Sequence, residues 1–280
     1  MTGRTWVCRL GALVGAVLLV LLIAGPRLAG AQSSHPSTRL LDLLVASYPD
    51  FLERHEAGTL IWKDGMRMPS GETTPVVGEG KTEQSLQALF DAPSVRDMFH
   101  WPYPLDTPSA PPALMLDPGR VRVEAFFTKM YGDCRKSEVV RHLVPVPWLP
   151  KRKGGSVQIT SINGVARKLA AVSNELDALP STFDKFLMPL AGGYNCRAIA
   201  GTVRLSAHAT ASAIDLPVTH ADYWRWTKPN ASNRYAYRNS FPPEVVRVFE
   251  KHGFIWGGKW YHYDTMHFEY RPEILAASKP

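Results

Sequence analysis

Ser206-Ala207-His208-Ala209-Thr210-Ala211-Ser212-Ala213-Ile214-Asp215, taken with Asp264-Thr265-Met266-His267, holds the chemistry around which the 280-residue chain is organised. The two stretches offer two imidazoles and a carboxylate, with a second carboxylate three residues before the later imidazole. A hydrolytic zinc site asks for three protein ligands of these types, an open fourth position and a nearby base. Seven residues of straight strand would hold His208 and Asp215 about 23 Å apart on opposite faces. Bonds of about 2.0–2.2 Å to one ion cannot span that. The chain must therefore double back between them, and the small residues Ala209 to Ser212 permit a tight reversal. His267 arrives from a separate segment. At a separation of three, Asp264 cannot share a strand face with His267, which places it on the loop leading in. Glu269, two residues beyond His267, does share that face and can hold the imidazole from behind.

His262 is close enough in sequence to compete as a ligand, but only His267 has an Asp at minus three. His220 reads as a loop residue and His252 as a helix end. A lone His-x6-Asp is common by chance; the added Asp-x-x-His supplies both missing parts.

Ser-x-His-x6-Asp at Ser206–Asp215, the Asp-x-x-His element at Asp264–His267 and Trp260 just upstream resemble the zinc D-alanyl-D-alanine peptidases, a family that includes VanX- and VanY-type enzymes and endolysins cutting L-Ala–D-Glu bonds. The resemblance runs from about residue 192 to 273. It implies a small α+β fold, an antiparallel sheet with flanking helices of the hedgehog/D-Ala-D-Ala peptidase kind. It also implies zinc held by His208, Asp215 and His267, and Asp264 as general base. Arg197, in Gly-Gly-Tyr-Asn-Cys-Arg, matches the family's upstream arginine, which clamps substrate or stabilises an oxyanion. Ser206 and Trp260 are expected to face substrate. The implied substrate is a peptidoglycan stem peptide containing D-residues. Two departures stand out: Ala211 replaces the family's usual Gly, so a positive φ there would strain it, and Asp264 stands where several members carry the longer Glu. The expected activity is zinc-dependent carboxypeptidase or endopeptidase action. A non-catalytic, zinc-containing cell-wall binding protein and an envelope protein with incidental histidines are the rivals. Retained Asp264 and Arg197 weigh against the binding protein, since pure metal storage needs neither.

Arg4 and Arg9 precede an apolar run from Leu10 to Gly25, then Pro26 and Ala29-Gly30-Ala31. That is the layout of a secretory signal cleaved after residue 31. The run is short for a spanning helix, which needs about 17–25 residues, so an uncleaved anchor is the lesser reading. Removing Arg4, Arg9 and Arg27 lowers the formal charge from +7 to +4. Mild basicity suits anionic envelope polymers and is too weak to argue nucleic acid. A periplasmic or secreted location follows, with no stable membrane anchor. Cys8 leaves with the signal. Cys134 and Cys196 can pair in an oxidising compartment, tying the region after Met130-Tyr131 to the Arg197 segment.

Residues 32–153 read as a mostly helical accessory region and 154–280 as the zinc peptidase domain. Helices are expected from Thr38 to Ser47, from Pro49 on, over Thr82–Phe90, Arg120–Tyr131, Asn163–Leu176 and from Pro242 to Lys251. A hairpin is expected at 59–68 around Lys63-Asp64-Gly65. Six prolines within 101–118 mark a connector, and Pro145, Pro147 and Pro150 a second irregular stretch. Strands are expected at Ser156–Thr160, Gly192–Asn195, Ala213–Leu216, Phe254–Trp256 and Met266–Tyr270. The aromatics between Trp224 and Trp260 are mostly core, with a substrate groove as the alternative use.

Overall fold

The computed structural model describes residues 1–3, 36–75, 82–105, 111–232 and 234–279. The signal-type segment lies outside the described residues. Among the described residues no helix is long and apolar enough to cross a membrane. Residues 34–280 form one compact unit, of α+β class with small antiparallel sheets and flanking helices.

Helix α1 (Pro36–Ser47) ends where Pro49 forbids continuation. The second helix expected from Pro49 is instead a turn into strand β1 (Leu52–Glu56), which pairs with β2 (Thr59–Trp62). The hairpin partner wins because β2 needs both edges covered: β3 (Arg67–Pro69) takes the other. Helix α2 (Glu83–Asp91) is fixed at its start by a reciprocal Thr82–Ser85 capping box. Helix α3 (Glu124–Tyr131) is shorter than the expected Arg120–Tyr131. The Gly119 and Val121 carbonyls accept hydrogen bonds from the Arg271 guanidinium, and 120–123 stays outside the helix.

Strand β4 (Leu143–Pro147) corrects the expectation of an irregular proline-rich stretch. It pairs with β5 (Ser156–Thr160) as a two-stranded ladder. Pro145 and Pro147 point outward on the unpaired edge, where a missing N–H costs nothing. Helix α4 (Val165–Leu176) buries Val165, Leu169, Val172 and Leu176 as one stripe. A short α5 (Asp184–Leu187) follows.

The sheet that matters for the site runs β6–β8–β7, with β6 (Ala213–Asp215), β7 (Phe254–Trp256) and β8 (His267–Tyr270) in the centre. Helix α6 (Pro243–Lys251) leads into β7, and α7 (Pro272–Ala277) follows β8 and packs on α1. Alternation along β8 divides its work. Phe268 and Tyr270 enter the main core, which also collects Leu41, Phe126, Leu169 and Phe249 from chain segments more than two hundred residues apart. His267 and Glu269 take the opposite face. Gly192–Asn195, expected as a strand, makes a single bridge to Asp215 instead. The expected cysteine pair is a disulfide, Cys134–Cys196, closing a 62-residue separation.

Phe249 and Phe268 stack with ring centroids 3.9 Å apart, both fully buried. Truncating Phe249 to Ala is expected to lower unfolding free energy by about 3–5 kcal/mol, read by urea denaturation. A loss under about 1 kcal/mol would mean that this stack is not central to the core.

Candidate metal centre

The register of β6 on β8 sets Asp215 directly opposite His267. Cross-strand neighbours lie on one face, so the carboxylate and the imidazole meet without any loop having to carry them there. His208 comes from the reversal before β6. Ser206 caps a 3-10 turn, Ala207–Thr210, by accepting from the His208 N–H at 3.3 Å. Ala211 then closes the turn at φ +55°, the left-handed conformation its departure from Gly made costly. Its carbonyl accepts from the Thr160 N–H, fastening the loop to β5.

His208, Asp215 and His267 thereby come together, with one donor atom from each within 4.8 Å of the others. His208 Nε2 is 3.2 Å from His267 Nδ1 and 3.2 Å from Asp215 Oδ2, while His267 Nδ1 is 3.0 Å from Asp215 Oδ1. Tetrahedral bonds of about 2.0–2.2 Å would hold ligand atoms about 3.3–3.5 Å apart, close to what is seen.

The outer partners fix which lone pairs face inward. His208 Nδ1 lies 2.6 Å from the Gly193 carbonyl, which can only accept, so Nδ1 carries the proton and Nε2 is free to ligate. His267 Nε2 faces the Glu269 carboxylate at 3.1 Å, leaving Nδ1 for the centre. Three acceptors then converge with no proton between them, and a cation is what such a point attracts. Burial opposes charge on His267, but hydrogen bonds to Asp215 and Glu269 push it up to about 10. Burial likewise opposes charge on Asp215, yet His208 and His267 hold it well below the usual carboxylate range. The donor set suits a divalent ion such as zinc.

Gly193 is there by necessity. A Cβ at that position would sit 2.5 Å from Val157 Cγ2 and 2.9 Å from the Gln158 carbonyl. Only glycine lets this backbone press against β5 and still offer its oxygen to His208.

Glu269 is fully buried and anchored from three sides. Arg122 engages both its oxygens, Arg271 reaches Oε1 at 3.1 Å, and His267 takes Oε2. These cations outweigh burial and keep it well below the usual carboxylate range. Arg271 passes on to Glu273, which accepts from the Tyr48 hydroxyl at 2.6 Å. The imidazole is thus connected to Tyr48, the residue that follows α1. Of this scaffold Glu269 was visible in the sequence through its spacing. Arg122, Arg271 and Gly193 gave no local signal, because their partners lie tens of residues away.

Asp264 sits at the turn entering β8, its N–H on the Gly257 carbonyl. Its buried Oδ1 has no hydrogen-bond partner among the described residues. Burial first, and the like charge of Asp215 second, push its carboxyl up to about 6, partly opposed by His267. A buried carboxyl oxygen without a partner, in the field of two imidazoles, suits a proton acceptor more than a structural anchor. Trp260 is buried, its ring 5.7 Å from that of His267, with Nε1 donating to the Pro118 carbonyl. Arg197 is exposed, its guanidinium 3.5 Å from the Ala198 carbonyl; its backbone carbonyl accepts from the Ser206 N–H.

His262 points elsewhere. It is buried between Asp117 (2.8 Å) and Glu83 of α2 (3.2 Å), with Trp224 and Tyr235 against its ring.

With this geometry in view, residues 200–270 match the peptidase M15 family model described as D-alanyl-D-alanine carboxypeptidase. The match takes in His208, Asp215, Asp264 and His267 and leaves out Arg197. It makes this stretch similar to D-Ala-D-Ala carboxypeptidase-like peptidases, and so supports a hydrolase. No curated protein matches the chain.

Two outcomes follow. Glu269→Gln should weaken zinc binding about 10–100-fold in competition with a chromophoric chelator, and unchanged affinity would deny the outer carboxylate a role. The second concerns His262: burial works against its charge, but Asp117 and Glu83 raise it above its ordinary value. The stabilisation is therefore complete below about pH 6.5 and is lost as pH climbs through the raised value. Melting temperatures of the parent and His262→Gln should differ most near pH 6 and converge toward pH 9; a constant gap would exclude a charged His262.

Proposed function

We propose that this protein is a secreted, zinc-dependent peptidase that hydrolyses peptidoglycan stem peptides, with His208, Asp215 and His267 holding the metal. The observation that carries the reading is the convergence of three lone pairs beside a buried carboxylate oxygen with no hydrogen-bond partner among the described residues. A pure storage or structural site has no use for that fourth group. The family match over residues 200–270 supports the same class of reaction.

Zinc bound there would polarise the scissile carbonyl and lower the pKa of water toward neutrality. Asp264 takes the proton of the attacking water and returns it to the leaving amine. Gly193 and Glu269 keep the two imidazoles in the tautomers that ligate. Ser206 keeps the His208 turn in place through the backbone. Arg197, exposed beside this turn, is the proposed clamp for a substrate carboxylate or a developing oxyanion. The signal-type N-terminus supports delivery to the envelope, where stem peptides are found.

The test is release of amino acid or a cut stem from purified muropeptides. Chelator should abolish it and added zinc restore it. Asp264→Asn should keep zinc and lose about 10²–10⁴ in kcat. Bound zinc with no product from the parent would point to a binding protein, and Asp264→Asn at parental rate would remove the proposed base.

A further inference from the structure

The proposed chemistry leaves unused a basic and aromatic stretch that follows the metal loop. From Tyr223 to Pro243 the chain carries Arg225, Lys228, Arg234 and Arg238 and no Asp or Glu. All four cations are exposed, and none forms an ion pair with an acid among the described residues. Trp226 stands on the surface with them, 56% exposed, whereas Trp62, Trp148, Trp256 and Trp260 are core. A single exposed apolar side chain asks for no explanation, but an indole set among unpaired cations does.

These residues sit on two limbs, 223–227 and 234–238, that lie side by side as one lobe. The rings of Trp224 and Tyr235 join the limbs, 4.7 Å apart. At the turn between them Asn230 Oδ1 accepts from the Ser232 and Arg234 N–H groups, both at 3.0 Å. Both limbs are fastened to the loop that leads into β8. The Trp224 N–H donates to the Tyr263 carbonyl, and the Tyr263 hydroxyl donates to the Ala236 carbonyl at 2.8 Å. The Tyr237 hydroxyl donates to the Gly258 carbonyl at 3.0 Å. Tyr223 pairs with Asp264 in an antiparallel bridge, so the lobe borders the candidate metal centre. On its outer side Arg225 donates to the Ala200 carbonyl at 2.9 Å and lies 5.0 Å from the centre of the Trp224 ring. Trp226 meets the Tyr223 ring edge to face at 5.8 Å.

We propose that this lobe is a binding surface for an acidic polysaccharide, a chain of sugar rings that carry carboxylates. Cations alternate with aromatic rings along it: Arg225 with Trp226, Arg234 with Tyr235, Tyr237 with Arg238. A uronic acid unit presents the matching pair, an apolar C–H face for an aromatic ring and a carboxylate for a guanidinium. An acidic peptide offers the charges without the rings. A nucleic acid duplex carries a charge about every 1.7 Å of its axis, for which four cations are few. The surface goes beyond the peptidase reading, since it needs neither metal nor turnover. A polymer held here keeps the neighbouring centre against its surroundings without occupying the metal ligands.

Calorimetric titration of the full chain with polygalacturonate at low ionic strength tests it, beside polyglutamate and a single-stranded oligonucleotide. Polygalacturonate should bind about fivefold or more tighter than polyglutamate, and should weaken as salt is added. Lys228→Gln/Arg234→Gln/Arg238→Gln should weaken it about tenfold, since exposed charges contribute a little each. Trp226→Ala should cost about fivefold with polygalacturonate and leave polyglutamate unchanged. All four side chains are exposed, so both variants should melt with the parent. Lys63→Gln/Lys151→Gln removes two exposed charges elsewhere and should change nothing. A chelator should leave binding intact, which separates the lobe from carboxylates captured at the metal centre. Binding that the chelator abolishes, that the triple variant keeps, or that the Lys63/Lys151 variant loses as strongly overturns the surface. So does an absence of polygalacturonate binding, or tighter binding of polyglutamate or the oligonucleotide. None of these readouts uses turnover, so a failure of the peptidase reading does not move them.

Discussion

The antiparallel register of β6 on β8 is the constraint from which the rest descends. It places Asp215 against His267 and, further along the ladder, Ala213 against Glu269. A slip of one residue would turn His267 into the core and send Phe268 to the metal face, because side chains alternate with a period of two. The register is held by what lies on the other face. Phe268 is clasped by Phe249, Trp256 and Phe241, and none of these can be satisfied if β8 moves. The apolar core thus fixes the polar centre.

Behind the imidazole, a run of buried ions extends through Glu269, Arg271 and Glu273 to Tyr48. Burying such groups is not an economical way to stabilise a fold, since desolvation consumes most of the Coulomb gain. Its value lies in direction. Each carboxylate has several donors aimed at it, so Glu269 has one orientation available, and His267 inherits it. The same run explains why α3 begins late. Arg271 holds the carbonyls of Gly119 and Val121, which favours keeping this stretch outside the helix.

How much of this could be read in advance depended on how local each signal was. Strand β8, helix α4 and helix α6 carry their periodicity in consecutive residues, and the chain folds as that periodicity says. The His208–Asp215–His267 trio was legible because a separation of seven between His208 and Asp215 demands a reversal, and small residues permit one. Strand β4 was hidden because proline is read as a strand breaker, and only the structure shows that Pro145 and Pro147 occupy an open edge. The helix expected at Pro49 failed for a related reason. A hairpin downstream recruited Leu52–Glu56 as its third strand, and pairing outweighed a local preference. Arg122 and Gly193 could not have been picked out, because each matters only through a partner that folding brings to it.

The arrangement also bears on why a family match of some seventy residues sits in a much longer chain. The main core draws on α1, α3, α4 and β8 at once, while Ala209 and Ala211 of the His208 loop pack in a smaller cluster with Cys134 and Val139. The segment before residue 153 is therefore structural support by its apolar side. By its polar side it reaches the centre through Arg122, which grips Glu269, while Asp117 and Glu83 grip His262 outside the centre. His262, removed from the metal by these two carboxylates, pins α2 to the loop that carries Trp260 and Asp264. That pinning sets the position of Phe90 at the far end of α2, and with it the ring over which Arg120 and Arg204 lie.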